Sequence, residues 1–164
     1  MTALEWYEIV GRIGLAALLG GLLGFEREFD GNFAGLRTHL LLTVGAALFA
    51  VVSVAGFDAM ITERANSNVN VDVTRIAAYI APGVGFIGGG AILKANGRIR
   101  GLTTAASLWT AAGIGVACGV GFWIGAVTAT VIALIALEVL QPLSNWAADL
   151  GRRHGRQDDD AADH

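Results

Sequence analysis

Residues Leu102 to Leu140 read LTTAASLWTAAGIGVACGVGFWIGAVTATVIALIALEVL and carry a single formal charge, Glu138. As one helix this stretch would be about 58 Å long at 1.5 Å per residue, nearly twice the ~30 Å hydrocarbon core of a bilayer. Folding it back at the small-residue sequence Cys118-Gly119-Val120-Gly121 yields two spans, Leu102 to Cys118 and Val120 to Leu140. Neither span then exposes unpaired backbone to lipid. The stretch therefore predicts a helical hairpin inside a membrane.

Working outward, the same search for about 20 mostly apolar residues predicts three earlier spans. They run from Trp6 to Phe25, Leu36 to Ala55 and Ile76 to Leu93. The expected fold class is all-α, a polytopic transmembrane helix bundle of about five spans. Composition points the same way. The 164 residues are 54% hydrophobic and 15% charged and include 23 glycines, where a soluble domain carries about 25% charge. One unit, residues 1–150, is expected to form the transmembrane domain. Residues 151–164, with Arg152, Arg153, Arg156 and Asp158-Asp159-Asp160, are expected to form a disordered polar tail. The first span has no basic start, and Arg12 lies within its apolar run, so it reads as a retained helix rather than a secretory signal.

Lysine and arginine fall unevenly about these spans. One side collects eight, namely Arg27, Arg37, Lys94, Arg98, Arg100, Arg152, Arg153 and Arg156, and the other side Arg12, Arg64 and Arg75. Basic loops stay in the cytoplasm, so the amino terminus is expected outside and the carboxyl terminus inside. Phe57 to Thr74 would then be the longest external loop.

Several function classes are disfavoured by the residues present. The net charge of -3 and the lack of a dense basic run argue against a nucleic-acid partner. Cys118 is the lone cysteine, which excludes an internal disulfide, and His39, His154 and His164 lack paired metal-ligand spacing. No cofactor or metal is expected. No nucleophile and base pair suggests an enzyme. Gly83-Val84-Gly85-Phe86-Ile87-Gly88 matches dinucleotide-binding spacing but lacks the preceding strand and the later ribose-binding acid.

Helices in lipid associate where small side chains let backbones approach. Gly20 and Gly24, Gly85 and Gly89, Gly115 and Gly119, and Gly121 and Gly125 have the spacing that puts both on one helix face. Gly83 and Gly88 add to the glycine-rich third span. Packing within the chain or between copies is the expectation, with a homo-oligomer as its larger form. Pro82 is expected to kink or interrupt the third helix; a broken helix there is the motif by which some transporters bind ions.

Charges inside or beside a bilayer need a partner or a purpose. Arg12 is expected to snorkel or to pair with Glu8 one turn earlier, or else to contact Asp72 or an anionic ligand. Glu26-Arg27-Glu28 ends the first span, Arg37-Thr38 begins the second and Arg100-Gly101-Leu102-Thr103-Thr104 begins the fourth. These groups are expected to converge at one depth, as an ion-pair network, a polar vestibule or docking surface, or a solvated rim. Asp72 and Arg75 are a second possible pair, and Asp72 also suits a helix cap.

Taken in order, Arg12, Gly20, Gly24-Phe25-Glu26-Arg27-Glu28, Ala34-Gly35-Leu36-Arg37-Thr38, Asp72, Arg75, Gly83 to Gly88 and Arg100 to Ala106 resemble the MgtC/SapB membrane-protein family over roughly residues 10 to 125. Tyr79 stands where that family commonly has glutamine. The resemblance implies a multi-pass protein of the bacterial inner membrane, linked in some members to growth at low magnesium and survival inside host cells. It implies a regulator that binds other membrane machines, such as the proton-driven ATP synthase or ion transporters. A magnesium or other ion transporter with a site at the glycine-rich third helix is the alternative. Some members carry a further soluble domain after the last helix, where a short tail is expected here.

Overall fold

The computed structural model describes residues 4–56, 74–95 and 98–139. They form α1 (Trp6–Phe29), α2 (Leu36–Val51), α3 (Thr74–Ala91), a two-stranded ribbon β1 (Leu93–Ala95) and β2 (Arg98–Arg100), α4 (Leu102–Val120) and α5 (Trp123–Val139). The expected external loop, Asp72 and the tail from residue 151 onward lie outside the described residues. The chain divides into two compact units, Met1–Thr130 and Val131–His164. The first holds the bundle described below. Within the second, Val131 to Val139 are described, as the end of α5.

The helices begin and end where local chemistry says they should. Gly31, at φ +70°, lets the chain leave α1, and Asn32 N–H donates to Arg27 O at 3.0 Å to close that end. Glu26-Arg27-Glu28 continues α1 beyond the apolar run, because charged residues remain good helix formers where the chain leaves hydrocarbon. The final turn after α2, Val52–Gly56, widens to a π-helix. At the end of α4, Gly121 takes φ +85° and donates to Cys118 O at 3.0 Å. That left-handed cap is cheap for glycine alone, and it makes the break between α4 and α5 that the charge-free stretch requires. α3 runs through Pro82 without interruption, so of the kink or interruption expected there the interruption is not found. Proline removes one hydrogen bond, to the Ala78 carbonyl, and an apolar helix can absorb that loss.

Helix directions follow from which residues meet. A Cβ on Gly24 would strike Leu36 Cα, Gly35 O and His39 Cβ, and one on Gly20 would strike Thr43. α1 and α2 are therefore antiparallel. A Cβ on Gly115 would strike Thr43 O and Ala46, and one on Gly119 would strike Ala47 O and Ala50. α2 and α4 are therefore parallel. Gly88 in α3 rests on Ala105 in α4 at ordinary van der Waals distance, with the β1–β2 ribbon joining these two antiparallel helices. Gly20, Gly24, Gly115 and Gly119 each replace a side chain by a neighbouring backbone, which is how helices associate without a hydrophobic driving force. Ala46, Val84 and Ala112, with Leu42, Ile80 and Val116 against them, fill the junction of α2, α3 and α4.

Not every glycine packs this way. Gly83, Gly85 and Gly89 have nothing within reach of a Cβ among the described residues; the inward face of α3 is made instead by Val84 and Gly88, both buried. Gly121 is a cap rather than a helix-face residue, and Gly125 lies under the Phe122 ring.

The outer surface is hydrocarbon. Phe86 is 85% exposed, Ile124 79% and Leu41 69%, an arrangement that a water-soluble monomer does not sustain but that lipid tails match. α1, Leu36–Ala55 and α4 are each long and apolar enough to cross a membrane, while Trp123–Val139 is a shorter apolar helix. α3 falls outside that set of three, its 18 residues including Thr74, Arg75, five glycines and Pro82. The small ribbon is an addition to the all-α expectation. Its strands pair Leu93 with Arg100, Lys94 with Ile99 and Ala95 with Arg98.

Candidate functional site

Because α1 ends where α2 begins, and α2 and α4 start at the same end, one end of the bundle receives Glu26, Arg27, Glu28, Arg37, Thr38, Arg100, Thr103 and Thr104 together. Sequence order alone placed them at three helix ends. The fold brings those ends side by side.

Their environments differ. Glu28 Oε2 accepts from Leu36 N–H at 2.7 Å, placing a carboxylate on the first free amide of α2, where the helix dipole favours negative charge. Arg37, Thr38, Arg100 and Thr103 are exposed, whereas Thr104 is buried. Arg27 is only 2% exposed. It lies on the same α1 stripe as Leu19, Gly20, Leu23 and Gly24, the stripe that faces the other helices, so its guanidinium is directed into the bundle. Its Nε and Nη1 are out of solvent and meet no hydrogen-bond acceptor among the described residues.

His39, which sequence reasoning treated only as a histidine without metal spacing, sits at the centre of this end and is fully buried. Its Nδ1 lies 3.1 Å from Gly35 O; a carbonyl only accepts, so Nδ1 donates there. Its Nε2 lies 3.1 Å from Ser107 Oγ. Ser107 Oγ also lies 2.9 Å from Thr104 O, so its single proton is shared between that carbonyl and the accepting Nε2, and Thr43 Oγ1 donates to His39 O. α2 and α4 are thus tied by polar side chains just below the charged groups. The signal that could have found His39 is a histidine one turn into an apolar helix, where an unpaired imidazole would be expensive.

Gly101 joins the ribbon to α4 in a conformation that only glycine accepts readily. Its φ is +87°, and a Cβ there would run into the Ala91 carbonyl. This fixes the start of α4, and with it Thr103 and Thr104, against the end of α3.

Arg12 lies at the other end of the bundle. It does not pair with Glu8, which is exposed. Its Nη1 donates to Gly119 O at 2.8 Å, and the guanidinium stands 6.0 Å from the Trp123 ring centroid. The last carbonyls of α4 carry the negative end of its dipole, and a cation there is stabilising. This displaces the Glu8 reading. Arg75 is exposed. Its expected partner Asp72 lies outside the described residues.

The glycine-rich third helix borders a groove of about 450 Å³ between α2 and α3, walled by Leu41, Phe49, Tyr79, Gly83 and Ile87 among others. Its walls are hydrocarbon apart from the tyrosine hydroxyl. Among the described residues no cluster of three or more His, Cys, Asp or Glu side chains could hold a metal ion.

An apolar-surfaced bundle of helices, knit by glycine contacts and carrying charged groups where its helices end, defines an integral membrane protein of the all-α class. The family model described as the MgtC family matches residues 13–146, and the chain belongs to that family. It is 44% identical over 137 residues to a protein of Escherichia coli K12 named "Putative magnesium transporter YhiD", covering 84% of this chain and 62% of that one. It is 44% identical over 128 residues to "Protein MgtC" of Brucella abortus, covering 78% of this chain and 49% of the relative. A Synechocystis protein, "Uncharacterized protein slr0014", is 41% identical over 143 residues, 87% of this chain and 56% of that one. The chain thus spans about half to three-fifths of the length of these curated relatives. No solved structure matches it.

Proposed function

We propose that this protein is a regulator in the bacterial inner membrane that acts by docking onto other membrane complexes, an ATP synthase or an ion transporter being the class of target. The adaptation it serves is growth at low magnesium, including survival inside host cells. The observation that carries this reading is the gathering of Arg37, Arg100 and Thr103, all exposed, at one end of a bundle whose sides are apolar. Lipid can cover the sides of such a molecule but cannot satisfy a charged end. Charged and polar groups at an interface select partner and register. This end is assigned to the cytoplasm by the excess of lysine and arginine on its side of the chain, with residues 1–150 as the membrane domain and 151–164 as a cytoplasmic tail.

The glycine face of α3, where a Cβ at Gly85 or Gly89 meets nothing among the described residues, supports a homo-oligomer in which these residues meet another copy. The test of docking is affinity capture from native membranes with the full chain. The wild type should recover a defined membrane complex, and the Arg37→Glu, Arg100→Glu double variant should lose it while still inserting and folding. Recovery of the same complex by both would remove the reading.

Ion transport is the second reading, favoured by the name of the Escherichia coli relative and by the groove that Gly83 borders. Purified protein in liposomes that moves magnesium, potassium or protons faster than empty vesicles would support it. No flux of any of the three would exclude it. We give catalysis no role in either reading, because the hydroxyl–imidazole pair at this end, Ser107 with His39, is buried away from any substrate.

A further inference from the structure

A guanidinium cannot lose its proton under physiological conditions, so Arg27 is a permanent positive charge that the fold takes out of water. Burying an ion costs several kcal/mol unless it is paired and hydrogen-bonded. Most buried charges are met within their own chain. Here Glu28 is engaged with the Leu36 amide, and two of the three Arg27 nitrogens, Nε and Nη1, meet no acceptor among the described residues. The helix ends around Arg27 add positive potential of their own. Neither α2 nor α4 has an acidic residue in its first turn, and neither Gly35 nor Gly101 supplies a capping side chain. The amides at the start of α4 therefore keep their positive dipole end. His39 connects these features. It is close enough to Arg27 to feel its charge, and through Ser107 it reaches the first turn of α4.

A buried arginine with two guanidinium nitrogens unsatisfied among the described residues, beside helix amino termini, is the chemistry that recognises an oxyanion. Arg27 also lies within the last turn of α1, where a membrane-spanning helix passes through the layer of lipid headgroups. We infer that Arg27 is the anchor of a binding site for a phosphate-type oxyanion, delivered either by an anionic phospholipid headgroup or by free phosphate. The oxyanion accepts from the guanidinium nitrogens and replaces the hydration that folding removed. Ser107, His39 and the start of α4 hold the surrounding polar wall. The site goes beyond the docking role and does not depend on it, because no partner protein is needed to fill it.

The full chain purified in neutral detergent provides the test, with thermal unfolding followed by tryptophan fluorescence. One arm adds inorganic phosphate against chloride at constant ionic strength. The other adds phosphatidylglycerol against phosphatidylcholine. The wild type should gain thermal stability in at least one arm, and which arm responds identifies the source of the oxyanion. Arg27→Gln should bind roughly ten- to hundred-fold more weakly, the factor that loss of hydrogen bonds to a charged group corresponds to. Its ligand-free midpoint should equal or exceed that of the wild type, because it removes an uncompensated charge. Lys94→Gln, which removes an exposed charge from the ribbon, should bind as the wild type does. Should Arg27→Gln fail to fold, Arg27→Lys serves, keeping the charge but losing the fork and binding more weakly. Absence of a wild-type response in both arms overturns the inference. So does an unchanged response in the Arg27 variants, or an equal loss in Lys94→Gln.

Discussion

Gly119 is small because the α2 backbone occupies the space where its side chain would be, and Gly14, with nothing within reach of a Cβ, is not constrained in that way. Gly119→Val should therefore cost about 1–3 kcal/mol from overpacking, while Gly14→Ala should be neutral or stabilising by up to about 1 kcal/mol from helix propensity. Thermal unfolding of both in the same detergent checks the contrast. Ser107 is held as tightly by chemistry as Gly119 is by space. Removing its hydroxyl strands His39 Nε2 in a fully buried position, so Ser107→Ala should destabilise by about 1–3 kcal/mol, which equilibrium unfolding would measure. At this scale the sequence was least legible. Arg12 finds its partner at Gly119 O, a main-chain atom 107 residues away, and no local spacing rule points to a carbonyl at the end of a distant helix. Glu8, one turn earlier, was the neighbour that spacing could see.

At the scale of the element, apolar length carried most of the information. α2 and α4 start where the apolar runs do, at Leu36 and Leu102, and α4 breaks from α5 at Gly121, within the small-residue stretch that bilayer thickness demands. α1 overshoots its apolar run to Phe29, because hydropathy reports where hydrocarbon ends rather than where helix ends. The β1–β2 ribbon escaped notice for the same reason: a search tuned to twenty apolar residues is blind to two strands of three residues each. Asn96-Gly97, a dipeptide that favours two-residue hairpin turns, was the available signal. Pro82 does not interrupt α3, since an interior proline forbids one hydrogen bond without forbidding the helix. The link from ribbon to α4 has its own test. Gly101→Ala should cost at least about 1–2 kcal/mol for a left-handed residue, with the collision against Ala91 O added. A lowered unfolding midpoint with weakened amide protection in the ribbon is the expected result.

The whole molecule presents two kinds of surface. The sides expose large apolar residues from every helix, and one end gathers Arg37, Thr38, Arg100 and Thr103. The composition made the first surface plain, because 15% charge cannot clothe a soluble protein. The convergence of the second could be expected from three helix ends but needed the antiparallel and parallel packing to give it form. The glycine face of α3 belongs to this scale as well. A Cβ at Gly85 meets nothing among the described residues, so Gly85→Leu should leave the monomer folded while abolishing crosslinks between copies. Crosslinking that persists in Gly85→Leu would place the contact elsewhere.

Sidedness tests the account most directly. In a Cys118→Ala background, single cysteines at Glu5→Cys and Asn32→Cys mark the two ends of α1, and a membrane-impermeant maleimide can be applied to spheroplasts before and after permeabilisation. Glu5→Cys should react in intact spheroplasts, and Asn32→Cys only once the membrane is opened. Equal reactivity of the two in intact spheroplasts, or the reverse order, would contradict a bilayer-spanning bundle that presents its charged end to the cytoplasm.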